Sequence, residues 1–104
     1  MEMQYCRRGE NLYLYFSGEM DERSVSSVRA VTDRLIEAEA SATRAIFNLT
    51  GVKFMDSTGI GFLIGRYKKL QKYGIKMFLS DPNAGADKVL TLSGIYALIP
   101  KIEE

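Results

Sequence analysis

Along this chain the spacing of apolar residues switches from two to about 3.6 and back, and that change of period limits the fold more than any other feature. Leu12, Leu14 and Phe16 alternate with Tyr13, Tyr15 and Ser17, the pattern of a strand with one buried face. Met3 to Arg7 is placed to pair with it, with Arg8-Gly9-Glu10-Asn11 as the hairpin turn, and Ser17-Gly18-Glu19 is expected to end the strand. From Arg23 to about Ala40, Val25, Val28, Val31, Leu35 and Ile36 fall at helical spacing, with Asp21 or Ser24 as the cap. Arg44 to Leu49 predicts a short apolar strand. A second helix begins at Asp56 or Ser57, carries Ile60, Leu63, Ile64, Tyr67 and Leu70 on one face, and stops at Gly74. Lys76 to Ser80 reads as another strand, Ala84 to Ser93 as a third helix, and Ile95 to Ile102 as a last short strand or an irregular tail.

Strands alternating with helices after an opening hairpin imply an α/β domain. The expected architecture is a mixed sheet of four to five strands packed with three to four helices. With no repeat, low-complexity tract or linker, residues 1–104 read as one domain. In such sheets function gathers where strands end and helices begin. Three segments lie there: Gly18-Glu19-Met20-Asp21, the run FMDSTGIG from Phe54 to Gly61, and Ser80-Asp81-Pro82.

Composition narrows the classes. With 14 basic and 13 acidic residues the net charge is +1, without the basic excess of a nucleic-acid binder. The single cysteine, Cys6, has no partner for an internal disulfide and fits a reducing compartment. Met1 to Arg8 lacks the apolar core of a signal peptide, and no apolar run approaches the ~20 residues that span a bilayer. No membrane, metal or cofactor is expected. Lys68, Lys69 and Lys72 read as a solvated helix face, Glu103-Glu104 as a frayed tail, and Met20, Met55 and Met77 as core filler.

Ser57 admits three roles: helix cap, nucleophile or phosphate acceptor. As a nucleophile it needs a base, and the chain contains no histidine. Neither G-x-S-x-G nor S-x-x-K surrounds it, so an enzyme is not expected. Gly59, Gly61 and Gly65, followed by Asp81, approximate the spacing of a dinucleotide-binding fingerprint. That fingerprint needs its first glycine in the turn right after a strand, whereas the expected strand ends at Leu49, ten residues before Gly59. A small nucleotide-binding module therefore stands as an alternative only. Each helix glycine costs up to ~1 kcal/mol relative to alanine, and two uses would justify Gly61 and Gly65: close packing on the sheet, or a smooth strip for a docking partner. A phosphate on Ser57 would meet the positive end of the helix and its unsatisfied amides. It would spare the fold but not a partner docked there, which must desolvate or repel the new dianion. Plain capping, worth ~1 kcal/mol, is compatible with that role.

The run FMDSTGIGFLIGRYKKLQKYG, the FSGEMD corner and the later LSGI resemble the STAS domain of bacterial anti-sigma factor antagonists, a likeness that extends from about Leu12 to Ile99. The resemblance implies a cytoplasmic bacterial regulator of sporulation or stress response. Unphosphorylated, it would bind an anti-sigma factor that is also a serine kinase of the histidine-kinase-like ATPase superfamily, and so free the sigma factor. The kinase would phosphorylate Ser57 and inactivate the antagonist; a PP2C-type phosphatase would restore it. By the same resemblance Asp56 flanks and presents the acceptor, and Thr58 is a secondary acceptor at best. Gly59 and Gly61 let the kinase approach, Gly65 extends their strip, and Gly18, Glu19 and Asp21 complete the docking face. A monomer or weak dimer is expected. The chain departs from the family pattern in carrying Glu22-Arg23 after Asp21 where a histidine is familiar, and in a C-terminal helix that is shortened or missing. A scaffold role in stress signalling on the same fold is the rival reading.

Overall fold

The structure is a computed structural model that describes residues 1–103. The opening hairpin forms as its alternation predicts. β1 (Glu2–Arg8) pairs antiparallel with β2 (Asn11–Met20), and in the turn Gly9 alone takes a positive φ, 59°, the glycine-first pattern of a type II′ turn. The chain continues through α1 (Glu22–Ala38), β3 (Arg44–Met55), α2 (Ser57–Lys72), β4 (Lys76–Ser80), α3 (Ala84–Ser93), a 3-10 turn at Ile95–Ala97 and β5 (Lys101–Ile102). The five strands stand in chain order, and every pairing after the hairpin is parallel. This is the expected mixed sheet, with three α-helices and one 3-10 turn.

One face of the sheet supplies Leu12, Leu14 and Phe16 from β2, Ala45, Phe47 and Leu49 from β3, and Met77 and Leu79 from β4. The buried sides of all three helices join them in a single core. Phe16 stacks on Phe47, ring centroids 5.4 Å apart, and meets Phe62 of α2 edge-on at 5.7 Å. The alternate residues Tyr13, Ile46 and Phe78 lie in register on the other face. Met20, Met55 and Met77 are buried, as core filler should be.

Several boundaries and faces differ from the sequence expectation. β2 does not end at Ser17-Gly18-Glu19 but runs to Met20, and β3 does not stop at Leu49 but runs six residues further, to Met55. Thr50, Gly51 and Lys53 broke the apolar run, yet this stretch needs only one buried side and pairs with β2 alone. Gly51 is there for space: a Cβ on it would lie 2.8 Å from the Ser17 Cβ and 2.9 Å from the Phe16 carbonyl oxygen. On α1, Val31 is exposed and Thr32 is buried in its place, its Oγ1 donating to the Val28 carbonyl at 2.7 Å.

On α2 the core-facing centre is Gly59, Phe62, Leu63, Arg66 and Leu70, while Ile60, Ile64 and Tyr67 flank it half-buried. Lys68 and Lys72 are exposed, but Lys69 pairs with Glu37 of α1 rather than lying free. After Pro100, whose carbonyl accepts from the Leu79 amide at 3.0 Å, the short β5 forms. Of the Glu103-Glu104 tail, Glu104 lies outside the described residues.

Candidate functional site

Parallel strands β2, β3 and β4 deliver the starts of α1, α2 and α3 to one edge of the sheet. Each start is capped by a side chain in extended backbone. Asp21 Oδ1 accepts from the Ser24 amide at 2.9 Å, Asp56 Oδ1 from the Thr58 amide at 2.9 Å, and Asn83 Oδ1 from the Ala86 amide at 2.8 Å. Asn83 also reaches sideways, its Nδ2 donating to the Val52 carbonyl at 3.1 Å. The amide hydrogen bond from Ser24 holds the Asp21 carboxyl below its usual range.

Register brings the Gly18–Asp21 corner beside the acceptor segment. Glu19 lies opposite Phe54, Met20 opposite Met55, and the Asp56 amide donates to the Met20 carbonyl at 3.4 Å. Ser57 is therefore not the cap; Asp56 is. Ser57 occupies the first helical position, exposed and relieved of the capping task, with Thr58 half-buried beside it. Glu19 is exposed, and Asp21 and Asp56 are half-buried. Gly18 takes φ 109° under the N-terminal residue: a Cβ there would lie 3.2 Å from the Met1 Cα. Glu19, Asp21, Glu22 and Asp56 give this corner four carboxylates, alongside Arg23, Lys53 and the Met1 nitrogen, which would lie 3.8 Å from a Cβ on Gly18.

The three α2 glycines separate. Gly59 is buried; a Cβ there would meet Met55 Cγ at 2.8 Å and the Met20 Cβ and carbonyl oxygen at 3.0 Å. It serves packing and is out of reach of a docking surface, contrary to the expectation drawn from the resemblance. Gly61 is exposed and Gly65 half-buried, and a Cβ at either would have no neighbour within 4 Å. Packing on the sheet does not require them.

Two further expectations change. β3 ends at Met55, so Gly59 does lie in the first turn after a strand, and the ten-residue gap weighed against a dinucleotide fingerprint does not exist. What speaks against that fingerprint is the fate of the amides. Thr58 donates to Asp56 Oδ1, Gly59 to the Asp56 carbonyl at 3.0 Å and Ile60 to the same oxygen at 3.4 Å. Those three amides are equally committed with respect to a phosphate on Ser57, whose favourable setting then comes chiefly from the positive helix end.

Phe54, which the sequence reading did not single out, lies exposed at this edge. It is 52% exposed although it sits in a strand two residues after buried Val52. The only cue was its place three residues before Ser57, because the bulge that turns it outward has no sequence signature here. A cavity of about 500 Å³ between Tyr67, Gln71, Met77, Phe78, Leu98 and Pro100 lies by the C-terminal end of α2, away from Ser57. At the Gly18 corner a second concavity, about 320 Å³, is lined by Met1, Glu2, Ser17, Gly18, Gly51 and Lys53.

The family model of the STAS domain matches residues 2–104. A curated relative, the anti-sigma F factor antagonist of Paenibacillus polymyxa, is 32% identical over 89 residues, covering 86% of this chain and 75% of the relative. Among solved structures, the anti-sigma factor antagonist SpoIIAA in its unphosphorylated form superposes with a TM-score of 0.80 at 26% identity, covering 99% of this chain and 88% of that one. The Bacillus cell fate determinant SpoIIAA in its phosphorylated form gives 0.71 at 25% identity, covering 99% and 91%.

Proposed function

The chain belongs to the STAS-domain family, and on that footing we propose that it is an anti-sigma factor antagonist switched by phosphorylation of Ser57. In the unphosphorylated state its Ser57 edge binds an anti-sigma factor that is also a serine kinase of the histidine-kinase-like ATPase superfamily, which frees the sigma factor. The kinase transfers a phosphoryl group to Ser57 Oγ, the antagonist lets go, and a PP2C-type phosphatase resets it. The protein works in the bacterial cytoplasm and is not itself an enzyme.

One observation carries the reading: Asp56 performs the capping, which leaves the neighbouring Ser57 exposed at the first helical position with no helix-capping duty. A hydroxyl so placed is open to a kinase at little cost to the fold. A phosphate there adds about −1.5 to −2 charges at an edge that already carries Glu19, Asp21, Glu22 and Asp56. The positive end of α2 tolerates the new charge. A partner packed over the Ser57 hydroxyl must bury and desolvate a dianion set among carboxylates, and that cost exceeds what cations at the rim of the interface return. That one protein of this fold has been solved both unphosphorylated and phosphorylated supports a switch that spares the architecture. The docking surface in this reading comprises Gly18, Glu19, Asp21, Asp56, Ser57, Thr58, Gly61 and Gly65, with Gly59 underneath it as packing.

The test is to incubate the protein with ATP and the anti-sigma serine kinase of the same genome, then to locate any phosphate by intact mass and peptide mapping. One phosphate on Ser57 is expected. An unmodified protein, or a phosphate elsewhere, contradicts the proposal.

A further inference from the structure

We propose that Phe54 is the apolar anchor of this docking edge, presented by a β-bulge and received by a pocket on the anti-sigma kinase lined by apolar side chains and rimmed with lysine or arginine. The inference rests on the switch reading above and adds the feature that gives the edge its grip.

The bulge is visible in the strand register. Gly18 pairs with Val52 and Glu19 with Phe54, so one residue of β2 advances while β3 advances two, leaving Lys53 unpaired. Without that extra residue, strict alternation would bury Phe54 with Val52 and turn Met55 outward. With it, Lys53 and Phe54 are both exposed and Met55 is buried. Bulges gather beside functional sites, where they re-aim a side chain. Here the device exchanges the burial of a phenylalanine ring for that of the Met55 side chain and leaves the ring at the surface.

Position and charge point to one kind of occupant. Among the described residues, the other large apolar side chains left exposed lie elsewhere: Tyr5 and Tyr15 within the hairpin strands, Val31 and Leu92 on helices, Tyr73 and Leu98 toward the end of α2 opposite Ser57. Phe54 alone stands at the strand ends, beside Glu19 in register and three residues from Ser57. An aromatic ring with Glu19 opposite it in register, at an edge that also carries Asp21, Glu22 and Asp56, suits a partner pocket whose floor is apolar and whose rim is basic. Rings of this kind dominate binding energy when fully desolvated at the centre of an interface, and the charged rim sets encounter rate and salt dependence.

The experiment titrates the full chain and three variants into the anti-sigma serine kinase of the same genome by calorimetry, with thermal midpoints measured in parallel. Phe54→Ala is expected to weaken binding about thirtyfold or more, with a midpoint no lower than wild type. Phe54→Leu should recover part of the loss, and Lys53→Ala should stay within about threefold of wild type. Affinity of the wild type should fall as salt rises. A wild type that binds alongside a Phe54→Ala variant that binds equally well overturns the anchor and leaves the switch standing. A wild type that neither binds nor accepts phosphate overturns the switch and the anchor together.

Discussion

The two sides of α2 use the same residue for opposite reasons. On the inner side Gly59 faces Met20 and Met55 so closely that no Cβ fits without displacement, and Arg66 lies buried, its guanidinium 4.8 Å over the Phe62 ring and its Nε 2.9 Å from Asp33 Oδ1 of α1. On the outer side Gly61 and Gly65 face open space. Absence of a side chain is thus a demand of the fold at one position and a cost to the helix at two others. The outer pair fits the docking role proposed for that face, which Ser57 begins.

Substitutions can break or sharpen this contrast. Gly59→Val should be the most damaging, lowering stability by about 3 kcal/mol because its methyl groups meet a backbone carbonyl as well as two methionines. Urea denaturation reads that change, and a variant as stable as wild type would erase the difference between the two sides. Arg66→Ala should cost about 2 kcal/mol, since it strips the ring contact and leaves Asp33 partly buried without its cation. Arg66→Met, which keeps the volume, should separate packing from charge by recovering part of that loss.

Gly61→Ala and Gly65→Ala should each go the other way, raising stability by about 0.5–1 kcal/mol, while weakening association with the kinase. A variant that gains stability and binds unchanged would leave the outer glycines without a docking role.

A smaller effect is expected far from either side of α2, at Asp87 of α3. The Tyr96 hydroxyl and, at 3.0 Å, the Lys101 ammonium both donate to it, and they hold its carboxyl below the usual range. A depressed carboxylate stabilises the fold above its unfolded pKa of about 3.9. That contribution fades as pH falls through the lower folded value. Asp87→Asn should therefore flatten the acid limb of a stability–pH curve below about pH 4, and an unaltered limb would remove Asp87 from the account.

Much of this was legible because period and punctuation agree locally. The hairpin, the three helices and β4 could be read from apolar spacing, and the strand-to-helix edge followed from their order. What escaped reading depends on pairing between strands. Thr50 to Met55 looks like a loop in isolation and becomes a strand only because β2 lies beside it. The bulge at Lys53, and with it the exposure of Phe54, exists only as a difference in register between two chains of residues that are distant in sequence. Gly59 and Gly61 are indistinguishable in a helical pattern until it is known which side rests on Met20 and Met55. Asp56 and Ser57 are both good caps by type, and geometry assigns the cap to Asp56. Arg66 hid for a related reason: a charged residue among apolar neighbours reads as surface until Asp33 is found across the helix pair.

The most direct test compares the unphosphorylated protein with protein stoichiometrically phosphorylated on Ser57, each titrated into the anti-sigma kinase and each melted alone. The account predicts that the phosphate weakens binding on the order of a hundredfold or more, while the thermal midpoint moves by no more than about 3 °C. Binding unchanged by the phosphate, or a collapse of the midpoint with its addition, would contradict it.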